Sequence, residues 1–293
     1  MLAKTKLKTF DWLNVYNLDH DDLATLDLEY KIDSDTLADI MDADEQPRIE
    51  QEDDYKVIIV RFPVVDKKTD AVWHTEPLSI IYAKGRVITI CRKKCEVLDR
   101  IPTAAKESRE FLILNIIYKI AEQYLKSLKE LNKRVLAAKS SLEEKMRKSQ
   151  LLALLEIENS YTLYAAGIKG NGNVLEKLDK TRSFNKENCD ELIDETRIEL
   201  NQAAATADAY SRMLVATKNT FESVINIDSN TYINRLTMWN IILMVPTFIV
   251  GYYGMNTKLP YADEADMTLA WWVLAASVFM AAGYGISIAA RRE

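Results

Sequence analysis

Residues 236–257 run for 22 positions without an acidic or basic side chain, and Arg235 and Lys258 close the run at either end. As an α-helix rising about 1.5 Å per residue, such a segment reaches ~33 Å, enough to cross a hydrocarbon core of about 30 Å. A second uncharged run, 267–290, follows after a connection at 258–266. Two such runs predict two adjacent membrane spans behind a large polar body.

Charge orients them. Arg235 precedes the first span and Arg291 and Arg292 follow the second, whereas the connection holds Lys258 against Asp263, Glu264 and Asp266. Basic residues remain on the cytosolic side, so both termini are expected in the cytosol, with residues 291–293 as a short tail and the acidic loop outside. The expected location is the cytoplasmic membrane, crossed twice. Trp271 and Trp272 read as interfacial anchors of the second span. The opening MLAKTKLKTFDW lacks an apolar core segment, so no cleaved secretion signal is expected.

The net charge is −6, and no basic patch interleaved with aromatics appears, which argues against a nucleic acid partner. Three cysteines (Cys91, Cys95, Cys189) and two histidines are too few for a disulfide framework or a structural zinc site, and reduced thiols are expected. With no clustered nucleophile and no Gly-rich phosphate loop, an enzyme is a poor reading, and no cofactor is expected.

The polar body divides by texture. Residues 1–102 form an acidic α/β region. Its β-branched runs at 55–62, 78–82 and 86–91 are bounded by Pro63, Pro77 and Gly85, the last two joined as a hairpin through 83–85. A short capped helix is expected over 33–43. Between residues 19 and 54 there are fifteen acidic side chains and two basic ones, a solvated surface or a weak sensor of hard divalent cations.

No proline occurs between Pro102 and Pro246, and the 143 intervening residues are rich in Leu, Ala, Glu, Lys and Arg. That predicts helices at about 110–145 and 149–180, the second interrupted by the glycines of 167–173, and a third from about 188. The expected segments are a helical hairpin region (103–187), a stalk helix (188–235), a first span (236–257) and a second span (267–290). Stalk and first span form one helix. The fold class is therefore an α+β cytosolic domain, then a long helical stalk and two C-terminal transmembrane helices.

Along that helix, steps of four and three pick out Asn219, Ser223, Asn226, Asn230, Ile233, Thr237, Asn240, Met244, Thr247 and Gly251. The average step of 3.5 keeps one face toward a supercoil axis. An ordinary coiled coil would hold Leu, Ile or Val here. This seam is mostly amide, hydroxyl or glycine. Inside a bilayer such groups need partners. Either they bond to a neighbouring helix, with Gly251 permitting close approach, or the face lines water shared by several copies. In the second case neutral oxygens would accept from the water shell of a hydrated cation, which Mg²⁺ sheds reluctantly. Met244, Ile233 and Leu236 would be apolar constrictions able to gate by dewetting.

The first span ends on Tyr253-Gly254-Met255-Asn256. A YGMN turn there, preceded by Pro246-Thr247-Phe248-Ile249 and by long proline-free helices behind an acidic α/β region, resembles the CorA family of magnesium transporters. The resemblance implies a funnel-shaped homopentamer with the first span around the pore and the second outside it. Gly254, Met255 and Asn256 would form the outer selectivity ring, with Asn256 holding the incoming hydrated ion. Asn230, Met244 and Thr247 would face the lumen, and Met244 and Leu236 would form the gate. It also implies feedback, in which cytosolic Mg²⁺ bridges carboxylates of neighbouring subunits and holds the pore closed. Glu195 falls at the stalk position of such a site, with Asp66 or Asp70 as its partner from the α/β region.

Two departures stand out: Lys258-Leu259-Pro260-Tyr261 replaces the Met-Pro-Glu-Leu often found in the family's outer loop, and Asn219 stands where a carboxylate would attract cations more strongly.

The resulting expectation is a channel or transporter for hydrated Mg²⁺, or Co²⁺ or Ni²⁺, driven by membrane potential and gated by cytosolic Mg²⁺, the ion being both substrate and regulatory ligand. Its partners are other copies of the chain, the lipid membrane and divalent cations. One alternative is zinc transport as in the ZntB-like branch, which usually carries Ile at the position of Met255. Another is a non-conducting membrane-anchored helical scaffold, which calls for an apolar seam.

Overall fold

The computed structural model describes residues 2–7, 9–18, 20–66, 72–102, 107–140, 148–181, 184, 187–255, 271–272, 274–279 and 282–283. The chain divides into two compact units, Met1–Lys218 and Asn219–Glu293.

The first unit is built on a six-stranded sheet. Its elements are β1 (Leu2–Lys6), β2 (Asp11–Tyr16), α1 (His20–Leu28), α2 (Ser34–Met41), β3 (Arg48–Gln51), β4 (Tyr55–Asp66), β5 (Val72–Ala83) and β6 (Arg86–Cys91), followed by α3 (Arg109–Ser140) and α4 (Lys148–Asp179). The spatial order is β1-β2-β6-β5-β4-β3, antiparallel except where β2 runs parallel to β6. The expected hairpin is present. Ala83 faces Arg86 across a two-residue turn, and Gly85 takes the positive φ of 78° that favours glycine there. Helix α2 is capped as its sequence predicts, Asp33 accepting a hydrogen bond from the Asp35 amide at 3.1 Å. It joins α1 in covering one sheet face, where Leu13, Val15, Leu26, Leu37, Ile40, Ile81, Ile88 and Ile90 form a buried cluster.

Pro63 and Pro77 do not bound strands as expected; they lie within β4 and β5. Pro63 sits beyond the end of β3, whose last pairing is Arg48 with Ile59. Pro77 sits beyond the end of β6, whose last pairing is Cys91 with Leu78. Each proline thus lacks its N–H where no flanking strand asks for one, and the β4–β5 ladder runs on to Asp66 and Val72.

The bare edge of β4 past Ile59 is completed by a side chain. Asn171 of α4, fully buried, accepts from the Arg61 amide at 2.8 Å and donates to the Arg61 carbonyl at 2.7 Å, as a strand residue would. The Tyr124 hydroxyl of α3 donates to the same carbonyl at 3.1 Å. The Arg61 guanidinium donates to Thr75 Oγ1 and to the carbonyls of Thr75, Ala43 and Glu45, fastening the loop before β3. That loop ends at Pro47, which lies against Gly170.

The glycines of α4 do not interrupt it. The helix is continuous from Lys148 to Asp179. A Cβ on Gly167 would come within 2.4 Å of the Tyr124 hydroxyl oxygen, and one on Gly170 within 2.5 Å of Pro47 Cγ. Both mark close approach of the helix to its neighbours. The helical cost of glycine, about 1 kcal/mol each relative to alanine, is offset by that packing.

Glu76 on β5 is buried, with Oε1 3.0 Å from Lys93 Nζ and 3.2 Å from His74 Nε2. Burial alone would raise its carboxyl. The hydrogen bonds and charges of His74 and Lys93 outweigh it and bring the carboxyl from 4.5 down to about 2. A group depressed on folding stabilises above its unfolded value, and that stabilisation is lost as pH falls from about 4.5 through about 2. Glu76→Gln is expected to flatten the acid limb of an unfolding curve within that window; an unchanged limb would assign the acid sensitivity elsewhere.

Helix α5 (Glu187–Tyr253) is continuous for 67 residues, with Pro246 inside it. Its portion from Asn219 belongs to the second unit, together with the helical residues 271–272, 274–279 and 282–283. Among the described residues, α5 is the one helix holding a stretch long and apolar enough to cross a membrane.

Candidate functional site: the seam of the long helix

All ten seam positions from Asn219 to Gly251 are exposed in the chain, Met244 at 64% and Ile233 at 59%. Leu236, equally exposed at 64%, lies beside the seam. The half-buried positions are Thr231, Met238, Ile241, Ile242, Val245, Pro246 and Ile249. At about 100° per residue they centre roughly a third of a turn from the seam. The helix therefore has one apolar side that is partly covered, and its exposed arc carries the polar seam beside apolar residues such as Leu236, Trp239, Leu243 and Val250.

Gly251 has no heavy atom within 4 Å of where a Cβ would stand. No contact among the described residues requires glycine there. The helix ends beside Gly254, whose amide donates to the Val250 carbonyl at 2.9 Å and whose absent Cβ would lie 3.1 Å from that oxygen. Met255 follows, 54% exposed. Asn256 and the loop acids Asp263, Glu264 and Asp266 lie outside the described residues.

Glu195 is exposed on the first-unit portion of α5, and it has no hydrogen-bond or ion-pair partner among the described residues. Its neighbours are committed. Arg197 pairs with Asp194 on the same helix, and with Glu176 at 3.0 Å and Asp179 at 2.7 Å on α4. Tyr118 of α3 lies nearby, and burial followed by the charges of Glu122, Glu199 and Glu195 pushes its phenol up. Lys218 pairs with Glu158 of α4 at 2.9 Å. Composition alone did not reveal this pairing of α5 with α4; Glu176 and Asp179 near the end of α4, with Arg197 as the first arginine of α5, were its only signal. Asp66 ends β4, with its side chain outside the described residues, as is Asp70. Among the described residues no three His, Cys, Asp or Glu side chains gather closely enough to hold a metal ion. Cys91, Cys95 and Cys189 are free and buried, and burial pushes the Cys91 thiol up to about 12.

A sheet-based α+β unit is thus followed in the chain by a helix that carries both a stretch long and apolar enough to cross a membrane and an exposed polar seam. The chain belongs to the CorA-like Mg²⁺ transporter protein family, whose model matches residues 8–291. It is 24% identical over 282 residues to the cobalt/magnesium transport protein CorA of Methanocaldococcus jannaschii, covering 91% of this chain and 86% of that one. The complete structure of the CorA magnesium transporter from that organism superposes with a TM-score of 0.80 at 20% identity, over 96% of this chain and 90% of the other. The ZntB cytoplasmic domain from Vibrio parahaemolyticus matches with a TM-score of 0.57 at 13% identity, over 75% of this chain and 89% of that domain. These last two likenesses concern the fold.

Proposed function

We propose that several copies of this chain, five by analogy with the family, gather the seam of α5 around water and conduct hydrated Mg²⁺, with Co²⁺ as a second substrate. The carrying observation is the exposed, mostly polar seam of α5, which runs from Asn219 to Gly251 and leads to Gly254-Met255-Asn256 in a member of this family. The relative from M. jannaschii bears cobalt and magnesium in its name, which supports both ions. In this reading residues 236–257 and 267–290 cross the cytoplasmic membrane with both termini in the cytosol. Gly254, Met255 and Asn256 form the outer filter, and Met244 and Leu236 the apolar gate. A divalent ion entering an inside-negative cell gains about 4.6 kcal/mol per 100 mV, so no nucleotide is required.

The unpaired carboxylate of Glu195 is suited to a regulatory Mg²⁺ shared with a neighbouring copy, which accepts hard oxygen ligands. Glu195→Ala is expected to weaken Mg²⁺-dependent protection from proteolysis, raising the half-protecting Mg²⁺ concentration about tenfold or more, the loss of one charged ligand. Equal protection in the variant would move the sensor elsewhere.

Flux into liposomes, with Mg²⁺, Co²⁺, Ni²⁺ and Zn²⁺ measured in parallel and with or without an imposed potential, tests the whole reading. Potential-driven Mg²⁺ entry is the expected result. Zn²⁺ entry without Mg²⁺ entry would favour the zinc branch, and no flux of any ion would favour a scaffold.

A further inference from the structure

Two seam hydroxyls have their protons already engaged. Thr247 Oγ1 donates to the Leu243 carbonyl at 2.8 Å, and Ser223 Oγ donates to the Asn219 carbonyl at 2.9 Å. A hydroxyl has one proton and two lone pairs, so each oxygen shows its exposed side only as an acceptor. The bond to the carbonyl four residues back is a known local option for Ser and Thr in helices, and inside a bilayer few other acceptors compete for the proton.

The ten seam positions contain no charged residue. Fixed charge on the seam therefore cannot tell a cation from an anion. The Asn amides do not decide it either, because each offers both donors and an acceptor. A hydrated cation turns its water hydrogens outward and needs acceptors. A hydrated anion turns water oxygens outward and needs donors, which these two hydroxyls give only by breaking their own helical bonds. Thr237, the third seam hydroxyl, has no hydrogen-bond partner among the described residues and is free to turn either way.

We propose that Thr247, with Ser223 below it, sets the sign of the charge admitted by the pore, its hydroxyl held acceptor-only by the back bond to Leu243. The inference rests on the seam lining the pore. The full chain is reconstituted in planar bilayers under a MgCl₂ gradient, and the Mg²⁺-to-Cl⁻ permeability ratio is read from the reversal potential. Thr247→Val, which keeps the branched shape without the oxygen, is expected to lower the ratio about fivefold or more, the effect of one lost hydrogen bond per copy. Thr247→Ser should stay within about twofold of the parent, because it restores the same back bond. Ser223→Ala, outside the apolar segment, provides a second variant and should shift the ratio in the same direction.

An unchanged ratio in Thr247→Val, or an equal fall in Thr247→Ser, overturns the proposal. Thr247→Cys separates this from the pore reading, since the three native cysteines are buried and a water-soluble thiol reagent reports position 247. Labelling there with an unchanged ratio in Thr247→Val sinks the hydroxyl's role alone. Absence of labelling sinks the pore reading and this inference together.

Discussion

Asn256→Ala is expected to lower Mg²⁺ uptake into liposomes by about 100-fold or more while leaving assembly intact. The carboxamide would hold the incoming ion through its water shell, and a hydrogen bond to a charged species contributes about 1.5–3 kcal/mol. The loss repeats in every copy around the axis, so even the lower end of that range multiplies to a large defect. Gel filtration in detergent should show one unchanged assembly, because the substitution falls past the end of α5 at Tyr253 and removes no packed apolar surface of that helix. Uptake within about threefold of the parent, a difference of less than 1 kcal/mol, would remove Asn256 from the filter. Reduced uptake with a broken assembly would make it a structural residue instead.

The second large effect lies far from the ion path. Asn171→Ala should destabilise the first unit by about 3 kcal/mol, because a buried backbone donor loses its partner and the facing carbonyl retains only Tyr124. Asn171→Asp should be at least as harmful, since it turns a second acceptor toward the Arg61 carbonyl where a donor is needed. Denaturant unfolding of the full chain in detergent measures the loss, and hydrogen exchange at the Arg61 amide reports it locally. A change under about 1 kcal/mol, with the Arg61 amide still protected, would mean that water or a shifted strand replaces the side chain.

The β5–β6 hairpin and the α2 cap were legible because each depends on residues a few positions apart. Gly85 supplies a positive φ between two β-branched runs, and Asp33 bonds an amide two residues ahead. The long α5 was legible for a related reason: apolar and polar positions recur at helical spacing and no glycine precedes Gly251 on it. The same periodicity located the open face of that helix, although it left the identity of the neighbours to the family.

The glycines of α4 misled because helix propensity is only a weak local term. The approach of Tyr124 and Pro47, from distant parts of the chain, decides that small residues are needed there. Strands β1, β2 and β3 left little local trace. The parallel pairing of β2 with β6 joins Trp12 to Val87, and that partner is invisible from either segment alone.

The sequence by itself determined the membrane-length apolar run, the polar seam and the presence of the β5–β6 hairpin, since spacing along one backbone suffices for each. The tertiary structure alone decided which prolines a strand could absorb, where α4 required glycine, and that an asparagine side chain would stand in for a missing strand at Arg61. Those outcomes depend on which backbone groups lack partners once distant segments meet, and a buried N–H or C=O left unpaired costs enough to choose among folds.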